Sequence, residues 1–212
     1  MTSKSKAKGN RFEYAIRDLL NKVFDTKEFA RTPGSGAIMG RSNFGKRAGL
    51  SDAAKDTLSA DMICPSWFPY SIEAKNYADK PIYHTMIHSY DATLDGWLGE
   101  ALCDAKNFDK IPFLFFNTTR KGSFIALPEI IAKHMTVGNY LVYRDWRIMS
   151  MAAIETNFQI LREVGALQLA EVLKWMEESS HVKELEAIQA VKIAKPKAKK
   201  KKKVEDEAAT DS

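Results

Sequence analysis

Residues 59–77 read SADMICPSWFPYSIEAKNY, a pattern that constrains the fold more tightly than any other stretch of the chain. Alternating apolar and β-branched residues flank a turn bounded by Pro65 and Pro69, which predicts two strands over about 60–64 and 69–75. A strand pair of this composition belongs in a sheet interior, yet it carries Asp61, Glu73 and Lys75. Burying an unpaired charge costs several kcal/mol or neutralises the group, so these three need partners.

A turn centred on Trp67 sets Asp61 opposite Glu73 in an antiparallel pair and Ser59 opposite Lys75. Directly opposed residues have Cβ atoms about 4.5–5.5 Å apart. Glu73 and Lys75 are two apart on one strand and share a face. Two readings follow from the residues alone. In one, the carboxylates pair with Lys75 as a salt-bridged hairpin at the surface. In the other, two repelling carboxylates hold a hard divalent cation through oxygen, and the lysine stands beside a phosphodiester under attack.

The rest of the chain supplies a sheet and its covering helices. Phe12, Ile16, Leu19, Leu20 and Val23 recur at helical spacing over 9–24. RTPGSGA then ends any helix. Residues 38–58 are polar and glycine-containing, with Arg41, Lys46 and Arg47 together, and read as an inserted loop. A helix is expected over about 94–108, strands at PFLFFNTT and GSFIALP joined by a turn at RKG, a short helix at LPEIIAKHM and a single strand at YLVYRDW. A helical span follows over about 151–179, with Ile154, Phe158, Leu161, Leu169, Val172 and Trp175 on its buried side, and disorder is expected beyond about 190. This order implies an α/β or α+β sandwich, a sheet with helices on both faces.

Charge is informative only when apportioned. The formal net charge is +5, but residues 192–203 hold eight lysines and 204–212 hold four acids, which leaves 1–191 at only +1. The lysine run suits either non-specific polyphosphate affinity or a solvated, disordered end. No apolar run reaches the roughly 18 residues of a membrane span. The basic N-terminus is not followed by a secretory apolar region, and Cys64 and Cys103 lack CxxC spacing and read as buried thiols. The expectation is a cytoplasmic protein without a membrane partner. P-loop and GxGxxG patterns are absent, so no nucleotide cofactor is expected. His84 and His88 sit four apart without the glutamate of a zinc hydrolase and read as surface or packing residues, with metal ligation the alternative. Trp67, Phe68 and Tyr70 read as packing, with base stacking the alternative.

Four segments taken in order, KGNRFEYAI, RTPGSGA, SADMICP and YSIEAKNY, resemble the PD-(D/E)XK nuclease superfamily. Within it the chain is most similar to archaeal-type Holliday junction resolvases and their phage-encoded relatives, over residues 8 to about 127. The resemblance implies a restriction-endonuclease-like α/β core over 1–150, a mixed central sheet flanked by helices. A helical extension over 151–190 and a disordered lysine-rich then acidic tail over 191–212 lie outside it.

It also implies roles. Asp61 and Glu73 match the metal-binding carboxylates, the Ala74 main-chain carbonyl a further ligand, Lys75 the catalytic lysine, and Glu13 the helix glutamate that completes the metal shell. Arg31 and Ser35 match phosphate-holding loop residues; Gly36 lets backbone approach a phosphate, and Arg41, Lys46 and Arg47 add a basic grip. Ala60 stands where the family has a proline, and 38–58 is longer than a minimal resolvase needs. The implied function is a Mg²⁺-dependent endodeoxyribonuclease, with Mn²⁺ able to substitute, acting on branched DNA as a two-fold homodimer. The alternatives are a repair or end-processing nuclease of the same fold, and a non-catalytic DNA-binding or scaffolding protein on a decayed nuclease fold.

Overall fold

In the computed structural model, residues 4–33, 60–77 and 90–194 are described. The inserted-loop segment 38–58, the histidines His84 and His88, and the tail beyond residue 194 lie outside them.

Helix α1 (Lys4–Val23) buries Phe12, Ile16 and Leu20, spaced by four, against the sheet. It ends before Asp25, whose left-handed φ of 49° turns the chain. Two short strands follow, β1 (Ala30–Arg31) and β2 (Met62–Ile63), antiparallel to one another. Strand β3 (Tyr70–Tyr77) leads through helix α2 (Ala92–Lys106) to β4 (Ile111–Thr118), parallel to β3 as a helical crossover allows. Next come β5 (Gly122–Pro128), a one-turn α3 (Glu129–Ala132), β6 (Tyr140–Tyr143) and β7 (Trp146–Ser150). Helices α4 (Ala153–Glu178) and α5 (Ser180–Ala194) close the described chain. The main sheet has five strands in the order β3-β4-β5-β7-β6, so β3 is an edge strand. Apart from β3 and β4, its neighbours run antiparallel.

Interior strand β4 is buried along IPFLFF because it is covered on both faces, which explains its unbroken apolar run. Asp91 caps α2 by accepting from the backbone N–H groups of Thr93 and Leu94, at 2.8 Å each. That helix is buried nearly all round because it lies between the sheet and α5, whose Val182, Leu185 and Gln189 are buried. Trp67 is half-buried, while Phe68 and Tyr70 sit in an aromatic cluster with Phe24 and Phe29, so packing accounts for them.

Five expectations need correction. The strand pair 60–64 and 69–75 does not form a ladder, because β2 turns away to pair with β1 and touches β3 at Asp61. YLVYRDW is not one strand: Arg144 and Asp145, with φ of 48° and 60°, form the left-handed pair of a two-residue hairpin turn between β6 and β7. The helical span has a second helix, α5, which runs past 190 to Ala194 because its apolar residues pack on α2. Phe158, Leu169 and Trp175 are half-buried, and the fully buried positions of α4 include Asn157, Gly165 and Met176 instead. Cys64 and Cys103 form no disulfide and are half-buried rather than buried.

Helix α4 crosses β3 where Gly165 meets Tyr70, whose hydroxyl donates to the Leu161 carbonyl at 2.8 Å. A Cβ at Gly165 would lie 2.8 Å from two ring carbons of the fully buried Tyr70, closer than side chains approach. Gly165→Ala is therefore expected to destabilise the protein. Overpacking costs about 1–3 kcal/mol and outweighs the gain of up to about 1 kcal/mol in helix propensity. Chemical denaturation measures the net loss.

Candidate active site

Edge strand β3 presents Glu73 and Lys75 on the face covered by α2, while Asp61 comes to it from outside the sheet. Three hydrogen bonds fix Asp61. Its N–H donates to the Ile72 carbonyl at 3.1 Å, its carbonyl accepts from the Thr32 N–H at 3.1 Å, and its carboxylate Oδ2 accepts from the Ala74 N–H at 2.9 Å. Because the N–H and C=O of one strand residue point the same way, the Ala74 carbonyl also faces this open edge, away from β4.

Glu73 is almost fully buried and bonded to the Lys75 ammonium. Lys75 also bridges to Glu100 of α2 at 2.7 Å. On the α1 side, Arg31 pairs with Glu13 and donates to Asn10 Oδ1 at 3.0 Å. The short β1–β2 pair thus brings Arg31 and Asp61 together, and α1 adds Glu13 and Asn10.

Burial raises the Glu73 carboxyl well above the usual carboxylate range, and the charge of Asp61 raises it further; Lys75 opposes the shift and Asp104 adds to it. Glu13 is raised for the same two leading reasons, burial and then Asp61, against the pull of Arg31 and Lys75. Burial alone would lower the Lys75 ammonium, but Glu73 and Glu100 outweigh it and hold it above an ordinary lysine. The site is short of positive charge: Glu73 and Glu13 resist ionisation while Lys75 stays firmly charged.

Glu13, Asp61, Glu73, Ala74, Lys75 and Arg31 are brought to this one edge. Ser35, Gly36, Arg41, Lys46 and Arg47 lie outside the described residues. Glu100 and Asp104 escaped the sequence reading. Their signal was the spacing of four in GEALCD, which puts both on the one face of α2 that meets β3. The oxygens available to a cation are those of Asp61, Glu73, Glu13 and the Ala74 carbonyl, all hard donors. Among the described residues no group of three or more acidic, histidine or cysteine side chains is placed to hold a metal ion. The donor set therefore suits an ion held by one or two carboxylates that keeps its remaining positions for water and phosphate.

An edge-strand ExK, an aspartate bonded to the strand beside it and a mixed five-stranded sheet between helices define a nuclease of the restriction-endonuclease-like fold. The chain belongs to the family described as "Phage putative PDDEXK endonuclease", whose model matches residues 4–171 and so reaches into α4. It is also similar to Protein D14 of Escherichia phage T5, 30% identical over 131 residues, which cover 60% of this chain and 72% of that protein. No solved structure matches it significantly. No helix among the described residues is long and apolar enough to cross a membrane.

The raised carboxyls set a pH dependence of unusual sign. Glu73 and Glu13 titrate above the 4.5 of an ordinary glutamate, so the native state takes up protons before the unfolded chain does. Stability of the metal-free protein is expected to rise as pH falls from neutral toward about 5, and to be lost again as pH climbs through the raised native values. Asp61→Asn removes a charge that raises both groups and keeps an oxygen for the Ala74 N–H. It should stabilise the metal-free protein at neutral pH by on the order of 1 kcal/mol and flatten this dependence. Urea denaturation across that pH range reads both effects.

Proposed function

We propose that this nuclease is an endonuclease that hydrolyses DNA phosphodiester bonds with Mg²⁺, that Mn²⁺ can substitute, and that its preferred substrate is branched DNA, the four-way junction above all. The observation that carries the metal-dependent reading is the buried Glu73 carboxyl, raised by burial and by the charge of half-buried Asp61, whose carboxylate the Ala74 N–H fixes beside it, next to a lysine held charged. A purely structural ion pair would need only one carboxylate per lysine.

Asp61, Glu73 and the Ala74 carbonyl would hold the ion, with Glu13 reaching it directly or through water. When bound it would polarise a phosphate oxygen and make a water nucleophilic at neutral pH. The chain's own groups do the rest. Lys75 donates hydrogen bonds to the attacking oxygen or to the developing charge on phosphorus, and stays protonated because Glu100 remains its partner when Glu73 turns to a cation. Arg31 orients Glu13 and offers its remaining N–H groups to a phosphate. Ser35 is assigned to a phosphate contact on the motif resemblance, Gly36 because a small residue lets backbone approach a phosphate, and Arg41, Lys46 and Arg47 because their charges cluster in the inserted segment. The resemblance to archaeal-type junction resolvases supports a junction substrate, and symmetric cutting of a junction calls for a homodimer with two such sites.

The test is cleavage of labelled four-way junction, replication fork and linear duplex, with Mg²⁺ and with EDTA, by wild type and Glu73→Gln. Paired symmetric nicks in the junction are expected, abolished by EDTA and reduced about 100-fold or more in the variant. Equal cutting of all three substrates would sink the junction preference. Wild-type rates from Glu73→Gln would place the metal elsewhere.

A further inference from the structure

We infer that the β4–β5 turn and the first turns of α1 form a second DNA contact, a basic rim that grips the phosphate backbone just beyond the cleavage site. This rests on the nuclease reading and adds to it a surface that none of the motif residues supplies.

Cations without intramolecular partners carry the argument. Among the described residues, Arg17, Arg31, Arg144 and Arg147 each pair with a carboxylate, and Arg162 lies over the Trp67 ring. Arg11 and Arg120 have neither an acid nor a ring among those residues, and both fall at the same edge of the molecule. Arg11 stands one helical turn from Lys8, and the Lys8 ammonium donates to Thr119 Oγ1 in the turn that holds Arg120 and Lys121. Arg11, Arg120 and Lys121 are exposed. Elsewhere this chain matches its described arginines to carboxylates or an aromatic ring; here it leaves positive charge unbalanced.

The rim is also tied to the catalytic strand. Strands β3 and β4 are parallel, with Lys75 beside Phe116 and Tyr77 beside Thr118. The Thr119 N–H donates to the Tyr77 carbonyl at 3.2 Å, so the turn projects from the end of β3 only a few residues past Lys75, about 10 Å along the strand. A chain of side-chain bonds crosses this end of the sheet. Ser123 donates to Asn117 Oδ1 at 3.1 Å, Asn117 to Asn76 Oδ1 at 3.0 Å, and Asn76 to the Lys8 carbonyl at 2.8 Å. Three strands and α1 are thereby locked together, which fixes the cations relative to the acids. Along α1, Lys8 precedes Glu13 by about 7.5 Å of helix rise. That is on the order of two nucleotides at 3.4 Å per residue of one strand. A strand with its scissile phosphate beside Lys75 would lay neighbouring phosphates against Lys8, Arg11, Arg120 and Lys121. The cations together with exposed amide and hydroxyl groups suit phosphate and sugar rather than base edges.

The experiment measures equilibrium binding of a labelled duplex in EDTA over a range of salt, for wild type, Arg120→Asn/Lys121→Gln and Lys133→Gln/Lys174→Gln. Asparagine suits position 120 because its φ of 66° is left-handed. The second pair removes the same charge elsewhere, with exposed Lys133 just past the opposite end of β5 from the turn. The turn variant is expected to bind about tenfold more weakly at low salt, with a slope of log K against log salt shallower by about 1–2, while the control pair keeps the wild-type slope. Restored binding in Arg120→Lys/Lys121→Arg would show that charge, not turn geometry, makes the contact. Equal slopes in turn and control variants would overturn the rim and leave the nuclease reading standing. A wild type that binds no DNA in EDTA even at low salt would overturn the rim, whereas the nuclease reading falls only if the wild type cuts no DNA with Mg²⁺ or Mn²⁺.

Discussion

The structure turns on one electrostatic fact: a glutamate is buried on an edge strand next to an aspartate. Burial and the charge of Asp61 raise the cost of ionising Glu73, and Lys75 only partly relieves it. Much of the surrounding architecture holds this arrangement in place. The β1–β2 pair exists to carry Arg31 and Asp61 to the edge; the Ala74 N–H fixes the aspartate; α2 lays Glu100 against the lysine. A sheet edge ordinarily invites pairing with another strand. Here the approach to β3 is taken by an aspartate, and the backbone carbonyl beside it is left facing outward.

Stability and function oppose one another at this edge. Burial and the charge of Asp61 disfavour the ionised forms of Glu73 and Glu13, and a divalent cation at this edge would offset that cost. The packing behind the site is correspondingly tight. Gly165 lets α4 close on Tyr70, and the aromatic cluster of Phe24, Phe29, Phe68 and Tyr70 fills the space between α1 and the sheet. A rigid backing of this kind lets poorly matched charges keep their positions.

Sequence reading succeeded where period and residue type act locally. Spacing by four placed α1, the apolar run IPFLFF marked an interior strand, and RKG marked the turn after it. The four motif segments pointed to the residues that the fold gathers at the β3 edge. It failed where a partner far along the chain decides. Nothing in MICP says that β2 will prefer β1 to β3, since its partners Ala30 and Arg31, and the Thr32 N–H that donates to the Asp61 carbonyl, come from a distant segment of the chain. Arg144 and Asp145 lack the asparagine or glycine that usually signals a two-residue turn; Arg144 is held by Asp95 and Glu184, from elements distant in sequence. Glu100 read as the polar face of a covering helix because its partner is a lysine twenty-five residues away.

A manganese titration at neutral pH, followed by electron paramagnetic resonance on the DNA-free protein, bears most directly on the claim that this acidic edge is a metal site. The account predicts bound Mn²⁺ in wild type, displaced by excess Mg²⁺ and lost in Asp61→Asn. Binding that survives in Asp61→Asn, or no binding to a folded wild type with or without DNA, would contradict it.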